Sequence, residues 1–196
     1  MSNISSIDIL VFIISVAGIL LEMIQNKWFW LSYIIGSLLL GYQFIIVHLY
    51  GSLLLQVFFI ILAIYGWYKW TDEGQKHHKQ QICHSTPKQN LIYVIVGIFL
   101  TLILYYLLKI TGDKDYLIDS CLTAISLIAT YMAALKQIES WFIFTATVFI
   151  SVPLYYNYHL FFTCVAYIIF GILDFIGGIK WLREFNLHNK LLTDIH

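Results

Sequence analysis

The 196-residue chain is 60% hydrophobic and only 11% charged, with 11 basic residues balancing 11 acidic ones. A soluble domain carries about 25% charged residues, so this chain lacks the polar groups to clothe a water-facing surface, and a zero net charge offers no field that would draw nucleic acid. The cysteines (Cys83, Cys121 and Cys164) are odd in number and widely spaced, which points to free thiols rather than a disulfide framework.

The apolar residues come in runs close to the roughly 20 residues that cross a bilayer as a helix. The first helix is expected at about 7–24. No basic residue precedes it and no small-residue cleavage site follows it, so it reads as a retained span and not as a signal peptide. The second and third are expected at about 29–47 and 51–70. A polar stretch, Thr71 to Asn90, then interrupts the pattern, holds one of the two prolines and is the longest soluble segment. A fourth helix at about 91–110, a fifth at 116–135, a sixth at 141–157 and a seventh at 160–182 follow, before a short polar tail after Arg183. One membrane domain accounts for all 196 residues. Aromatic residues at 17% suit interfacial belts and aromatic-lined cavities.

Seven alternating spans put Lys27, Lys69, Lys76, Lys79, Lys88, Lys136, Lys180, Arg183 and Lys190 on one side and only Lys109 and Lys114 on the other. Basic loops stay in the cytoplasm. The N-terminus is therefore expected outside, the C-terminus inside, and the loop 71–90 cytoplasmic.

An internal repeat supports the count. Asn26-Lys27-Trp28-Phe29 through Gly66-Trp67-Tyr68-Lys69-Trp70 resembles Glu139-Ser140-Trp141-Phe142 through Gly177-Gly178-Ile179-Lys180-Trp181, and His48-Leu49-Tyr50 falls opposite His159-Leu160-Phe161. Three helices (about 7–70) thus match three others (about 116–182), with the helix at about 91–110 as a linker. A step of four helices leaves both copies facing the same way, a 3+1+3 parallel repeat like that of the SWEET sugar carriers, whose substrate sites lie between the repeats near the midplane.

No hydrolytic or redox motif is present, and neither a cofactor nor a metal is expected. His77, His78, Cys83 and His84 match no closed metal site, and a solvated loop is the simpler reading. The fifth helix carries Asp119, Thr123, Ser126 and Thr130 on one face. Such a stripe faces a cavity or hydrogen-bonds a neighbouring helix, and Asp119, near the outer end, also suits a cap. On the seventh helix Tyr167, Gly171, Asp174 and Gly178 share a face. Asp174 lies well inside an apolar run, where an ionised carboxylate costs roughly 3 kcal/mol, so it is expected to face the bundle interior. Gln56 and Trp67 share a face of the third helix, and Tyr167 is the repeat counterpart of Gln56. A membrane-embedded enzyme or a sensor is the reading from another class. No carboxylate pair with a histidine is visible at cavity depth, and no loop is long enough for a signalling domain.

Leu54-Leu55-Gln56-Val57-Phe58-Phe59 followed by Ile64-Tyr65-Gly66-Trp67-Tyr68-Lys69-Trp70 resembles the PnuC family of bacterial vitamin transporters, as do Asp119-Ser120-Cys121, Ser126, Lys136 and Glu139-Ser140-Trp141 with Leu154-Tyr155 beyond it. The resemblance covers about residues 8–185. It implies a seven-helix SWEET-like fold in the bacterial inner membrane, a homotrimer, and facilitated diffusion of an unphosphorylated vitamin that a cytoplasmic kinase traps. Nicotinamide riboside is the first substrate it suggests and thiamine the second; other members are thought to carry riboflavin or deoxynucleosides. Nicotinamide riboside carriers of the family show Trp-x-x-Trp opening the sixth helix and a polar Asn or Asp four residues on. Here the stretch reads Trp141-Phe142-Ile143-Phe144 and then Val148, while Asp174 adds an anionic group on the seventh helix. The residues expected to meet the vitamin are Gln56, Trp67, Trp141, Phe144, Tyr167 and Asp174, with Asp119 and Ser126 from the fifth helix.

Overall fold

A computed structural model describes residues 6–46, 50–72, 81–112 and 115–193. They form seven α-helices: α1 (Ser6–Met23), α2 (Trp28–Ile46), α3 (Tyr50–Asp72), α4 (Pro87–Thr111), α5 (Tyr116–Ala134), α6 (Glu139–Asn157) and α7 (Phe161–Thr193). Among the described residues, six helices are long and apolar enough to cross a membrane. The other, α6, has 19 residues but interrupts its apolar face with the buried Ser140, Thr147 and Ser151 and with Pro153. The match of His48 and Leu49 to His159 and Leu160, the histidines at 77 and 78, and the basic residues Lys76, Lys79 and Lys114 lie outside the described residues.

Packing follows a ring. α1 lies against α2, α2 against α3, α3 against α5, α5 against α6, α6 against α7, and α7 closes on α1. α4 stands outside this ring, packed along α5 and lightly on α3. Of its side chains only Leu104 and Leu108 are buried, and Leu91, Val94, Ile98, Leu102 and Ile110 are exposed. An apolar helix bare on most of its circumference fits lipid or another protein surface rather than water.

Two tight turns set the ring's geometry. Between α1 and α2, Gln25 takes a left-handed φ of 54°, its N–H bonds Glu22 O, and Asn26 N–H reaches Leu21 O. Between α5 and α6, Lys136 also takes φ 54°, its N–H bonds Ala133 O, and Gln137 N–H reaches Met132 O. Gln25 and Lys136 are 111 residues apart in sequence, and so are each of these other pairs. The same step relates Trp30 to Trp141, Gly66 to Gly177 and Trp70 to Trp181. The structure therefore puts Trp30 opposite Trp141, two residues from the Trp28 that the sequence alignment chose. The fit of side chain to glycine is the same twice. A Cβ on Gly66 would collide with the Trp30 indole, and one on Gly177 with the Trp141 indole.

Two boundaries differ from the sequence expectation. α4 begins at Pro87 rather than near residue 91. Thr86 caps it, with Gln89 N–H donating to Thr86 Oγ1 at 3.3 Å and Thr86 N–H donating to Gln89 Oε1 at 2.8 Å. Proline fits the first turn because its missing N–H would be unbonded there anyway. α7 runs to Thr193 and not to about 182. Its last turns carry good helix formers, and Phe185 packs against the central cluster and meets His84 edge-on at 4.8 Å.

Residues 81–86 form a strap across the α5–α6 turn. Cys83 N–H donates to Lys136 O at 3.1 Å and Ile138 N–H to Cys83 O at 3.0 Å, a single parallel bridge. Ile82 is buried in the central cluster. His84 Nδ1 lies 2.9 Å from Glu139 Oε1, and Ser85 N–H donates to Glu139 Oε2 at 3.1 Å. Burial, with Glu139 adding to it, pushes the Cys83 thiol above its ordinary range.

Candidate functional site

The turns and α7 bring four tryptophans into a ladder inside the ring. Trp30 meets Trp70 at 5.5 Å, Trp70 meets Trp181 at 6.3 Å and Trp181 meets Trp141 at 5.4 Å between ring centroids. The Trp181 indole N–H donates to Met23 O at 3.3 Å. The indole nitrogens of Trp30, Trp70 and Trp141 are buried without a hydrogen-bond partner. Lys136, 1% exposed, lays its ammonium over Trp70 at 5.1 Å.

On the α1, α2, α5 and α7 walls beside this ladder stand the polar groups. Asp174 of α7 is 6% exposed and Glu22 of α1 is 3% exposed. The two carboxylates are within electrostatic reach of each other, and Tyr33 of α2 is within reach of both. Tyr33 Oη is 3.2 Å from Thr130 Oγ1, and Thr130 in turn donates to Ser126 O at 2.8 Å. A threonine hydroxyl has one proton, so Tyr33 is the donor to Thr130. One oxygen of Glu22 is buried with no hydrogen-bond partner. Buried polar groups nearly always find a partner within the fold or in bound water, and one that does not needs a reason.

Toward the other end of the ring, Tyr155 Oη donates to Tyr167 Oη at 3.1 Å, with the rings 4.7 Å apart. Asp119 lies within electrostatic reach of both tyrosines, and Tyr167 within reach of Tyr33. Asp119, Tyr155 and Tyr167 thus connect through Tyr33 to the Glu22–Asp174 pair.

The expected site residues divide. Trp141 is fully buried in the ladder and Phe144 packs on the same cluster. Tyr167, Asp174 and Asp119 belong to the connected polar wall, and Ser126 joins it through its backbone carbonyl, which accepts from Thr130. Gln56 is half-buried on α3, against Gly41 of α2. Trp67 stands apart. Its ring meets Trp28 edge-on at 5.3 Å under the Lys27 ammonium, and it lines an apolar groove with Leu31, Ile34 and Ile64. The residue one turn on, Trp70, is the one that points into the ladder.

Sequence reasoning missed Glu22, Tyr33, Trp30 and Trp70 as site residues. Glu22 bounds the first apolar run and so reads as an interfacial charge. The repeat aligned two residues out of register hid Trp30 behind Trp28. The 111-residue step that joins Trp70 to Trp181 and Gly66 to Gly177 was present in the sequence and would have found Trp30 if carried through the turn.

A ring of apolar helices around a packed aromatic core with embedded carboxylates fits a multi-pass membrane protein. The chain belongs to the family described as nicotinamide mononucleotide transporters, whose model matches residues 5–183. In fold it is similar to a solved structure titled as the vitamin B3 transporter PnuC, with a TM-score of 0.71, 15% identity, and 88% of this chain and 79% of that one covered. No curated protein sequence matches it.

Proposed function

We propose that the chain takes up a small unphosphorylated vitamin by facilitated diffusion, with trapping by a cytoplasmic kinase, and that nicotinamide riboside is the substrate. The observation that carries the reading is the coincidence of a transporter family match over residues 5–183 with a closed helix ring whose interior is aromatic and holds unpartnered buried polar atoms. A flat ring stacks on indole and phenol faces while a few polar groups fix its orientation. Gln56, Trp141, Phe144, Tyr167 and Asp174 are the contacts proposed, with Asp119 and Ser126 toward the outer end. Trp67, beside Trp28 and packed against the same aromatic cluster, completes the proposed set.

The 3+1+3 organisation is part of the proposal. The two turns alike 111 residues apart support it, and so does the ring, because exchanging α1, α2, α3 for α5, α6, α7 turns the α3–α5 contact into the α7–α1 contact. An axis along the membrane normal would relate the halves, with the N-terminus outside the inner membrane of a bacterium and the C-terminus in the cytoplasm. The exposed apolar face of α4 suits lipid and the contacts of a homotrimer.

Thiamine is the second substrate, favoured by Val148 where the family's nicotinamide riboside carriers place a polar residue. Purified protein in liposomes, assayed by counterflow with labelled nicotinamide riboside and labelled thiamine, tests both. Exchange of the first supports the leading reading, exchange of thiamine alone replaces it with the second, and exchange of neither rejects both.

A further inference from the structure

We propose that Glu22 and Asp174 act as a pair that recognises positive charge, so that the carrier selects a ring bearing a permanent cation over its neutral counterpart. The inference rests on the vitamin-carrier reading and adds Glu22, on the opposite half of the ring from Asp174, as a determinant of specificity.

The argument starts from cost. A charged side chain within the bilayer is expensive and is ordinarily paired with an opposite charge. The electrostatic neighbour of Glu22 is a second carboxylate. The buried cation at this end of the molecule, Lys136, lies over Trp70. Among the described residues a hydroxyl also lies within electrostatic reach of both acids, that of Tyr33 of α2, which is hydrogen-bonded to Thr130 of α5 and within reach of Tyr167 of α7. Two buried acids on the packed helices α1 and α7, with no basic group shown to act on either among the described residues, are costly to ionise unaided and gain most from a cationic ligand that supplies the missing counter-charge.

A second observation points to a ligand. Glu22 keeps one oxygen buried and unpartnered, and the indole nitrogens of Trp30 and Trp141 in the neighbouring ladder are buried and unpartnered as well. Glu22 is 3% exposed and both tryptophans 0%. One acceptor and two donors left open around aromatic faces are what a cationic heteroaromatic with hydrogen-bonding substituents would fill. Cation–π attraction to the tyrosine and tryptophan faces adds to the carboxylates, and both terms vanish for an uncharged ring of the same shape. A neutral substrate supplies no such counter-charge, so the pair favours the cation over it.

The test measures affinity by calorimetry on the purified full-length carrier for two matched pairs, nicotinamide riboside with its reduced neutral form, and thiamine with neutral 3-deazathiamine. The wild type is expected to bind one of the cations at least tenfold more tightly than its neutral partner, and Glu22→Gln and Asp174→Asn each to cut that preference by tenfold or more. The ratio within a pair is independent of how much protein is active. If either variant fails to give monodisperse protein, the wild-type ratio decides, at least tenfold supporting the inference and parity overturning it. Binding of a cation with an unchanged preference in both variants overturns the inference and leaves the carrier reading standing. Equal binding of the neutral partner does the same. Binding of none of the four overturns both.

Discussion

Trp30 and Trp141 have large fully buried side chains, and each is accommodated by a glycine on the facing helix, Gly66 or Gly177. A methyl group at either glycine has no free volume to enter, because the obstacle is a rigid indole. Overpacking of this kind costs about 1–3 kcal/mol, so Gly66→Ala and Gly177→Ala are each expected to lower the thermal unfolding midpoint in detergent. In a Trp141→Ala background the Gly177→Ala penalty should largely disappear, and additive penalties in that double-mutant cycle would show that the two residues do not press on one another. Gly36 is the control. A Cβ there meets nothing within 4 Å, so Gly36→Ala should leave the midpoint unchanged or raise it. At this scale the sequence shows which residues are costly but not what they face. Asp174 stood out because it interrupts an apolar run. Glu22 is equally buried, yet its place at a helix end gives the same signal as an ordinary interfacial acid, and only the turn at Gln25 folds it inward.

Among the elements, the long apolar runs made the helices legible, and their ends were less so. Residues 81–86 are polar enough to read as part of a solvated loop, yet Ile82 is buried and His84, Ser85 and Cys83 all hold the α5–α6 turn. The extension of α7 belongs to the same arrangement, since Phe185 lies edge-on to His84. Sequence periodicity reports a helix's own faces and is silent on a strap whose partners lie about 50 residues away. Cys83 is the natural reporter for this contact. Its thiol, half-buried and pushed up by burial and Glu139, should react slowly with maleimide at neutral pH, because the thiolate is the nucleophile. In a Cys121→Ser, Cys164→Ser background, Phe185→Ala and Glu139→Gln are each expected to speed labelling of Cys83 severalfold. Unchanged rates would mean that neither contact holds the strap in place. Thr86→Ala removes the α4 cap and should cost about 1 kcal/mol, read as a lower unfolding midpoint with faster amide exchange in the first turn of α4.

The described helices form a ring with α4 outside it, and the asymmetry of basic residues sets the expected orientation of that ring. A reporter fused to the C-terminus is expected to act as cytoplasmic and one inserted after Thr111 as external. An external C-terminal reporter would overturn the expected orientation. The direction of net transport is the remaining question at this scale. Driving a substrate uphill requires an ion whose binding is tied to that of the substrate, and the deeply buried acids among the described residues of the ring are Glu22 and Asp174. If a cationic vitamin occupies that pair, the same carboxylates are not free to carry a proton or sodium ion alongside it, which leaves Asp119, beside Tyr155 and Tyr167, as the other carboxylate on the wall. Transport is then expected to be uniport. A cation crossing alone still responds to the membrane potential, by about 2.3 kcal/mol for each 100 mV, so the measurement needs liposomes with the potential clamped at zero. Under that condition uptake of the bound vitamin should stop when inside and outside concentrations are equal, whether or not a pH or sodium gradient is imposed, and a vitamin kinase sealed inside should restore accumulation. A proton or sodium gradient that lifts the internal concentration above the external one at zero potential would reject uniport and assign the acidic pair to ion coupling.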